Sequence, residues 1–366
     1  MANTPAPQDP ISPYQGLDDR AFWRAGVVEA GSYPPPDIYR AKFKITKDMP
    51  IFTAGSCFAQ HVGRTLAKSG YAVIDTEPLP AFVPEHVAHR HGYKLYSARF
   101  GNIYTIRQFL QLLQEAFGTF QPADPIWEKD GRYYDALRPG MTPGGLALPE
   151  HVTEAREVHL NAVREAVAQT AMVVFTLGLT ETWQHVPSGT VYPTAPGTIA
   201  GKIDPDVHGF VNFRSHQIRK DFLKIRDVFQ AANPDVKFLL TVSPVPLTAT
   251  ASDAHVLPAT VYSKSVLRTV AGELSEDFED VDYFPSYEII AAHPGAARFF
   301  EPNLRSVKPR GVRRVMRTFL GAHEQETDPT AKRAKLKEER QQTAQTDPET
   351  DDGLICEEEL LEAFRK

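Results

Sequence analysis

Ile51-Phe52-Thr53-Ala54-Gly55-Ser56-Cys57-Phe58-Ala59 is the stretch on which the reading of this chain turns. Its first four residues are small or apolar and read as a short buried strand. Gly55-Ser56 breaks the strand, and Phe58 to Ser69 runs on at helical spacing until Gly70 ends it. A serine at the carboxyl end of a strand stands where open α/β sheets place their ligands. Its hydroxyl there faces a helix N-terminus whose free N–H groups can stabilise an oxyanion. The competing role for Ser56 is structural, because serine is also a favoured helix N-cap.

Two further stretches have the same glycine-bearing character. One is Ser97-Ala98-Arg99-Phe100-Gly101-Asn102-Ile103-Tyr104, followed by Ile106, Phe109, Leu110, Leu113 and Phe117 at helical spacing. Gly101-Asn102 therefore reads as the opening of a helix, with Asn102 as its cap. The other is the apolar run Ala171 to Leu177, which reads as a central parallel strand and ends in Gly178-Leu179-Thr180-Glu181-Thr182-Trp183. With these stretches the pentapeptide Gly55-Ser56-Cys57-Phe58-Ala59 resembles the GSCFA family over about residues 35–320, and that family is similar to the SGNH (GDSL-like) hydrolases. The resemblance implies a serine nucleophile at Ser56 and an oxyanion hole built from the backbone N–H groups of Ser56 and Gly101. Its third block is a Gly-x-Asn-Asp, matched here by Gly178, with Thr180 in the asparagine place and Glu181 in the aspartate place. Threonine offers one hydroxyl donor where asparagine offers an amide, so Thr180 or Asn102 completes the hole. Trp183 lines the pocket or its edge.

The last block of SGNH enzymes is Asp-x-x-His, the general base and its orienter, just before the final helix. Here the final helix begins near Lys308-Pro309, with Pro at its first turn. The corresponding positions hold Asn303 and Ser306. A nucleophilic serine needs a base within hydrogen-bond reach. His255, on the loop after Ser243-Pro244, is the first candidate, and His293 and Glu181 are the others. Two function classes follow. The leading expectation is a serine-dependent acyl-ester hydrolase or acyltransferase acting on a carbohydrate or similar polar substrate. The alternative is a glycan- or ligand-binding module that kept the pocket and lost the base.

The remaining chain organises around these blocks. Strands alternating with long helices argue for βαβ units. Tyr71–Asp75, Lys237–Val242 and Val281–Phe284 read as strands; His151–Thr170, Phe213–Ala232 and about Ala259–Phe278 read as helices. The expected architecture, with the layering the resemblance implies, is a flavodoxin-like three-layer α/β/α domain, SGNH-hydrolase-like, with a parallel sheet of about five strands. Residues 1–34 read as an extended N-terminal arm anchored by Trp23 and Tyr33, and 35–320 as the domain. Residues 118–149 form a loop-rich insertion whose aromatics stack on a ligand or close a second small core. Residues 184–204 read as a further loop. Residues 321–366 read as a charged, disordered tail with a short amphipathic helix at Leu354–Phe364, in which Glu357-Glu358-Glu359 is a solvated face.

Composition narrows the function classes. A net charge of −6 gives no general attraction to nucleic acid or anionic membrane. Cys57 and Cys356 are too few for a disulfide framework or a cysteine zinc site, and Cys57 reads as a small buried residue. His86, His89 and His91 lack a carboxylate or cysteine partner at a recognisable interval, so no metal and no cofactor is expected. No signal-peptide pattern and no run of about 18 apolar residues is present, which makes a cytoplasmic protein the expectation, with no integral membrane segment. The expected partner is a small-molecule or glycan acyl ester.

Overall fold

Apolar runs without a polar face build the centre of the molecule, because parallel strands are covered on both sides. The computed structural model describes residues 12–323 and 356–365. Its elements run β1 (Ile51–Gly55), α1 (Cys57–Lys68), α2 (Glu85–Ala88), α3 (Ile106–Ala116), β2 (Ile126–Lys129), β3 (Arg132–Asp135), α4 (Pro149–Gln169), β4 (Met172–Leu177), β5 (Glu181–His185), β6 (Thr190–Tyr192) and β7 (His208–Asn212). Then come α5 (Ser215–Ala232), β8 (Lys237–Val242), α6 (Val256–Asp277), β9 (Val281–Phe284), α7 (Ser286–Ala291) and α8 (Pro309–His323). A 3-10 helix, Glu357–Phe364, lies beyond them.

The main sheet is parallel in the order β1-β4-β8-β9, with Ile51 opposite Met172, Met172 opposite Lys237 and Phe238 opposite Val281. Alternate residues face opposite layers. Phe52, Ala54, Val173, Phe175, Phe238 and Leu240 pack with α3, α4, α5 and α6. Ile51, Met172, Val174 and Leu239 pack with α1, α7 and α8. This is a three-layer α/β/α arrangement.

The second of the five expected strands, Tyr71–Asp75, shrinks to one parallel bridge, Val73 beside Ile51. Ile51 N–H reaches the Ala72 carbonyl (2.8 Å) and Ile74 N–H the Ile51 carbonyl (2.9 Å). The bridge lies on the far side of β1 from β4, so the chain leaves the sheet in opposite directions from these two strands. Their carboxyl ends flank the crevice where such sheets take ligands.

Residues 118–149 and 184–204 are more ordered than a loop reading allows. The first holds the β2–β3 hairpin, and Glu181–Tyr192 supplies β5 and β6 of the antiparallel sheet β6-β5-β7. Trp127, Tyr134, Ala136, Leu137, Tyr192 and Ala200 close a second small core between them. The insertion's aromatics therefore include structural members: Trp127 is buried, 5.1 Å from the Tyr192 ring. A buried ion network fastens this insertion to the body. Asp135 accepts from Arg138 Nε (2.8 Å) and Arg156 Nη1 (3.1 Å), and Arg156 also grips Glu115. Burial raises the Asp135 carboxyl, but Arg156 and Arg138 outweigh it and hold the group below its usual range. Removing one partner of a buried pair strands the others' charge. Asp135→Asn is expected to cost about 3 kcal/mol, read as a lowered urea midpoint at unchanged slope.

The arm reaches the body through Trp23, stacked on His293 at 5.4 Å, and through Tyr33, whose hydroxyl donates to the Glu288 carbonyl (2.9 Å). Among the described residues no helix is long and apolar enough to cross a membrane. Residues 324–355, most of the expected disordered tail with Leu354 and Ile355 of its expected helix, lie outside the described residues.

Candidate active site

β1 delivers Ser56 to the crevice, and Gly55 makes the turn possible. Gly55 has φ +138°, and a Cβ there would collide with the Thr176 carbonyl oxygen and lie 2.8 Å from its nitrogen. Only glycine tolerates both. Ser56 then occupies the N-cap position of α1 with extended backbone, yet its side chain makes no capping bond. Its Oγ is buried and has no hydrogen-bond partner among the described residues. A buried unpartnered hydroxyl is costly and is not how a structural N-cap behaves. The Ser56 N–H, expected in the oxyanion hole, instead donates to the Thr176 carbonyl (3.2 Å), because it continues the ladder between β1 and β4.

Gly178, at the end of β4, presses against Ser56. A Cβ added to it would come within 2.9 Å of both the Ser56 Cβ and the Tyr104 carbonyl oxygen. Beyond it Thr180 is fully buried, its N–H donating to Ser263 Oγ (3.1 Å) and its own hydroxyl unpartnered among the described residues. Glu181 accepts from Thr250 Oγ1 (2.9 Å), and burial raises its carboxyl against that bond. Trp183 stands edge-on to Phe210. Tyr104, Leu179, Glu181, Trp183, Phe210 and Leu247 are among the walls of a cavity of about 900 Å³.

The Gly101-Asn102 block does not open a helix. α3 starts at Ile106, capped by the Thr105 hydroxyl, which accepts from Gln108 N–H (3.2 Å). Gly101, with φ +75°, steers the chain so that Ile103 N–H reaches the Gly55 carbonyl (2.8 Å). That leaves Asn102 buried beside Ser56 rather than capping. Its Oδ1 accepts from Gln60 Nε2 (3.0 Å), and the Tyr96 hydroxyl sits between that oxygen and the Ser56 carbonyl (3.1 Å). Its Nδ2 donates to the Tyr104 hydroxyl (3.2 Å) and to a Glu357 carboxylate oxygen. The Tyr104 hydroxyl donates to that same oxygen at 2.8 Å. A side-chain amide donor thus comes from Asn102, a place where a helix cap was expected.

Glu357 and Glu358 of the C-terminal segment are turned inward, so of the expected solvated face only Glu359 is exposed. Glu357 is buried, Arg305 Nη2 reaches Glu358 at 3.3 Å, and Arg305 Nη1 reaches Glu359 at 3.1 Å. Glu-rich sequence reads as solvated only until a matching donor set is known.

The expected bases are dispersed. His255 is exposed and caps α6, its Nδ1 accepting from Leu257 N–H at 3.1 Å. Ser56 Oγ receives no imidazole hydrogen bond in this structure. His293 is taken up by Trp23. Asn303 and Ser306, at the Asp and His places of the last block, bond each other through Nδ2 and Oγ (3.0 Å) in an exposed turn. His255→Ala is expected to leave any ester turnover within about twofold, and to cost about 1 kcal/mol or less through the lost cap. Steady-state kinetics and a denaturant titration check both parts. Among the described residues no group of three His, Cys, Asp or Glu side chains is placed to hold a metal ion.

One titratable group at the crevice was not anticipated. Lys264, on α6, is 1% exposed, and its Nζ donates to the Gly178 carbonyl at 2.7 Å. Gly178 thus stands between Lys264 and Ser56. Burial pushes the Lys264 ammonium down to about 8, although Glu358 and Cys57 favour its charged form. The sequence carried a signal: Lys264 falls in register with Leu267, Ala271 and Leu274 on the buried stripe of α6.

A family model described as the GSCFA family matches residues 50–319. No curated protein matches the chain. The match covers the β1–Ser56–α1 turn, Asn102, Gly178 and Lys264, and by it this chain belongs to the GSCFA family.

Proposed function

We propose that this protein is a serine-dependent acyl-ester hydrolase or acyltransferase with SGNH-like layering, acting on a carbohydrate or similar polar substrate. One observation carries the reading: Ser56 Oγ is buried at the sheet's carboxyl edge without a hydrogen-bond partner among the described residues, although it occupies an N-cap position. Stored cost of this kind concentrates at functional sites. A cavity of about 900 Å³, lined by Tyr104 and Leu179 though not by Ser56 itself, has room for an acyl chain or a sugar ring, with Trp183 and Phe210 as apolar wall.

Lys264 is the base in this mechanism. A lysine held near 8 by burial is partly neutral at physiological pH, the range in which general bases work. Its neutral amine takes the proton of the Ser56 hydroxyl as Oγ attacks the acyl carbonyl. The two groups are not hydrogen-bonded in this structure, so Nζ must leave the Gly178 carbonyl to reach Oγ. The Thr180 hydroxyl supplies a donor for the oxyanion, and Asn102 Nδ2 a second once Glu357 has left it. Collapse expels the alcohol, which takes the proton from Lys264 and leaves an acyl-serine. Water then gives hydrolysis, and a sugar hydroxyl gives transfer.

Trapping tests the reading. Reduced protein is mixed with a p-nitrophenyl ester, quenched in acid and digested. The expected result is one acyl group per chain, on the peptide that contains Ser56. A folded protein that carries no acyl group, or carries it elsewhere, overturns the enzyme reading. It would leave the ligand-binding module, which the mutual bonding of Asn303 and Ser306 in place of a base favours.

A further inference from the structure

The C-terminal segment Cys356–Arg365 is seated on the site just described. Glu357 fills the polar cradle of Asn102 and Tyr104, and Glu358, Leu361 and Phe364 line the cavity beside it. The chain's two cysteines meet at its root. Cys57 is the first residue of α1, directly after Ser56, and Cys356 is the first described residue of the segment. Both line a cavity of about 150 Å³, together with His61 and Arg305. The two thiols interact, and Arg305 Nη2 lies 3.5 Å from Cys356 Sγ.

We propose that Cys57 and Cys356 form a reversible disulfide that locks the C-terminal segment over Ser56 and closes the site under oxidising conditions. The regulatory part rests on the reading of Ser56 as nucleophile. The disulfide itself does not. Two thiols in one cavity face each other at high effective concentration. They differ in a useful way. Cys57 is wholly buried and its thiol is pushed up by the hydrogen bond to Cys356 and by burial. Cys356 is drawn down towards about 7 by the bond from Cys57 and by Arg305, against its own burial. Cys356 is therefore the attacking thiolate.

A hydroperoxide is the oxidant. The Cys356 thiolate attacks one peroxide oxygen, the O–O bond breaks, and the departing hydroxide takes a proton to become water. The product is a sulfenic acid. Cys57 sulfur then attacks the Cys356 sulfur; the S–O bond breaks, and hydroxide leaves with the Cys57 proton as a second water. Two thiols lose two electrons, and one hydrogen peroxide becomes two waters. A dithiol such as dithiothreitol reverses the bond by exchange.

The test uses the full chain, treated with about one equivalent of hydrogen peroxide, alkylated under denaturing conditions and digested. The expected product is a Cys57–Cys356 linked peptide pair within one chain, absent from Cys356→Ser and lost on adding dithiothreitol. Both cysteines still alkylated, or separately overoxidised, or joined between two chains on a non-reducing gel, overturns the disulfide. A fluorophosphonate then reads the lock. Labelling of Ser56 is expected to fall at least about tenfold on oxidation in the wild type and to stay unchanged in Cys356→Ser. Equal labelling of oxidised and reduced wild type, with the linked peptide present, overturns the lock. Absence of labelling in both states with the linked peptide present removes the nucleophile reading, and with it the closing of an active site, while the disulfide stands.

Discussion

Ser56→Ala is expected to lower kcat/KM for an acyl ester by about 10⁴-fold, because the nucleophile and its base act as one unit. The same variant is expected to be no less stable than the wild type and to gain up to about 1 kcal/mol. Removing Oγ relieves a buried hydroxyl that has no partner among the described residues. An N-cap serine behaves oppositely, and its loss costs about 0.5–2 kcal/mol. Activity and denaturant midpoint measured on one preparation therefore separate the two roles. An inactive but fully stable variant identifies a residue kept for chemistry, whereas an active but weakened one identifies a cap.

Lys264→Met is expected to cost about 10³-fold in the same assay, within the range of a lost general base. In the wild type, activity should rise with pH to a plateau, half-complete near 8, where burial holds the amine. The methionine variant lacks that limb. Stability supplies an independent reading. The unfolded lysine titrates near about 10.4, above its folded value, so the unfolded chain binds the proton more tightly. Stability should therefore rise with pH between about 8 and about 10.4. Urea midpoints across that interval should climb more steeply for the wild type than for Lys264→Met, in which the buried Cys57 thiol, pushed up, still opposes the rise. Equal slopes would assign the difference to another group.

Much of the frame was legible because it depends on local pattern. The apolar run at Ile51–Ala54, the Gly55-Ser56 break and the period of α1 are consecutive in sequence, as are Met172–Leu177 with Gly178 after it. The strand at Tyr71–Asp75 was read too long because edge pairing depends on what lies beside it, and only Val73 meets Ile51. Asn102 reads as a cap in the sequence because its partners Gln60 and Glu357 come from distant parts of the chain. His255 was read as a base from its place after β8, but loop position does not fix side-chain direction, and its Nδ1 is spent on Leu257. Lys264 and the acidic C-terminal segment were missed for one shared reason. A charged residue in sequence reads as solvated, and only a tertiary partner, here the Gly178 carbonyl or the Asn102 amide, shows that it is buried.

Fluorophosphonate labelling of the reduced full-length protein, followed by peptide mapping, tests the activated serine most directly. The expected result is one phosphonyl group per chain, on Ser56, with none on Ser56→Ala and markedly slower labelling of Lys264→Met. A folded, reduced protein that acquires no adduct, or acquires it on another residue, would contradict it.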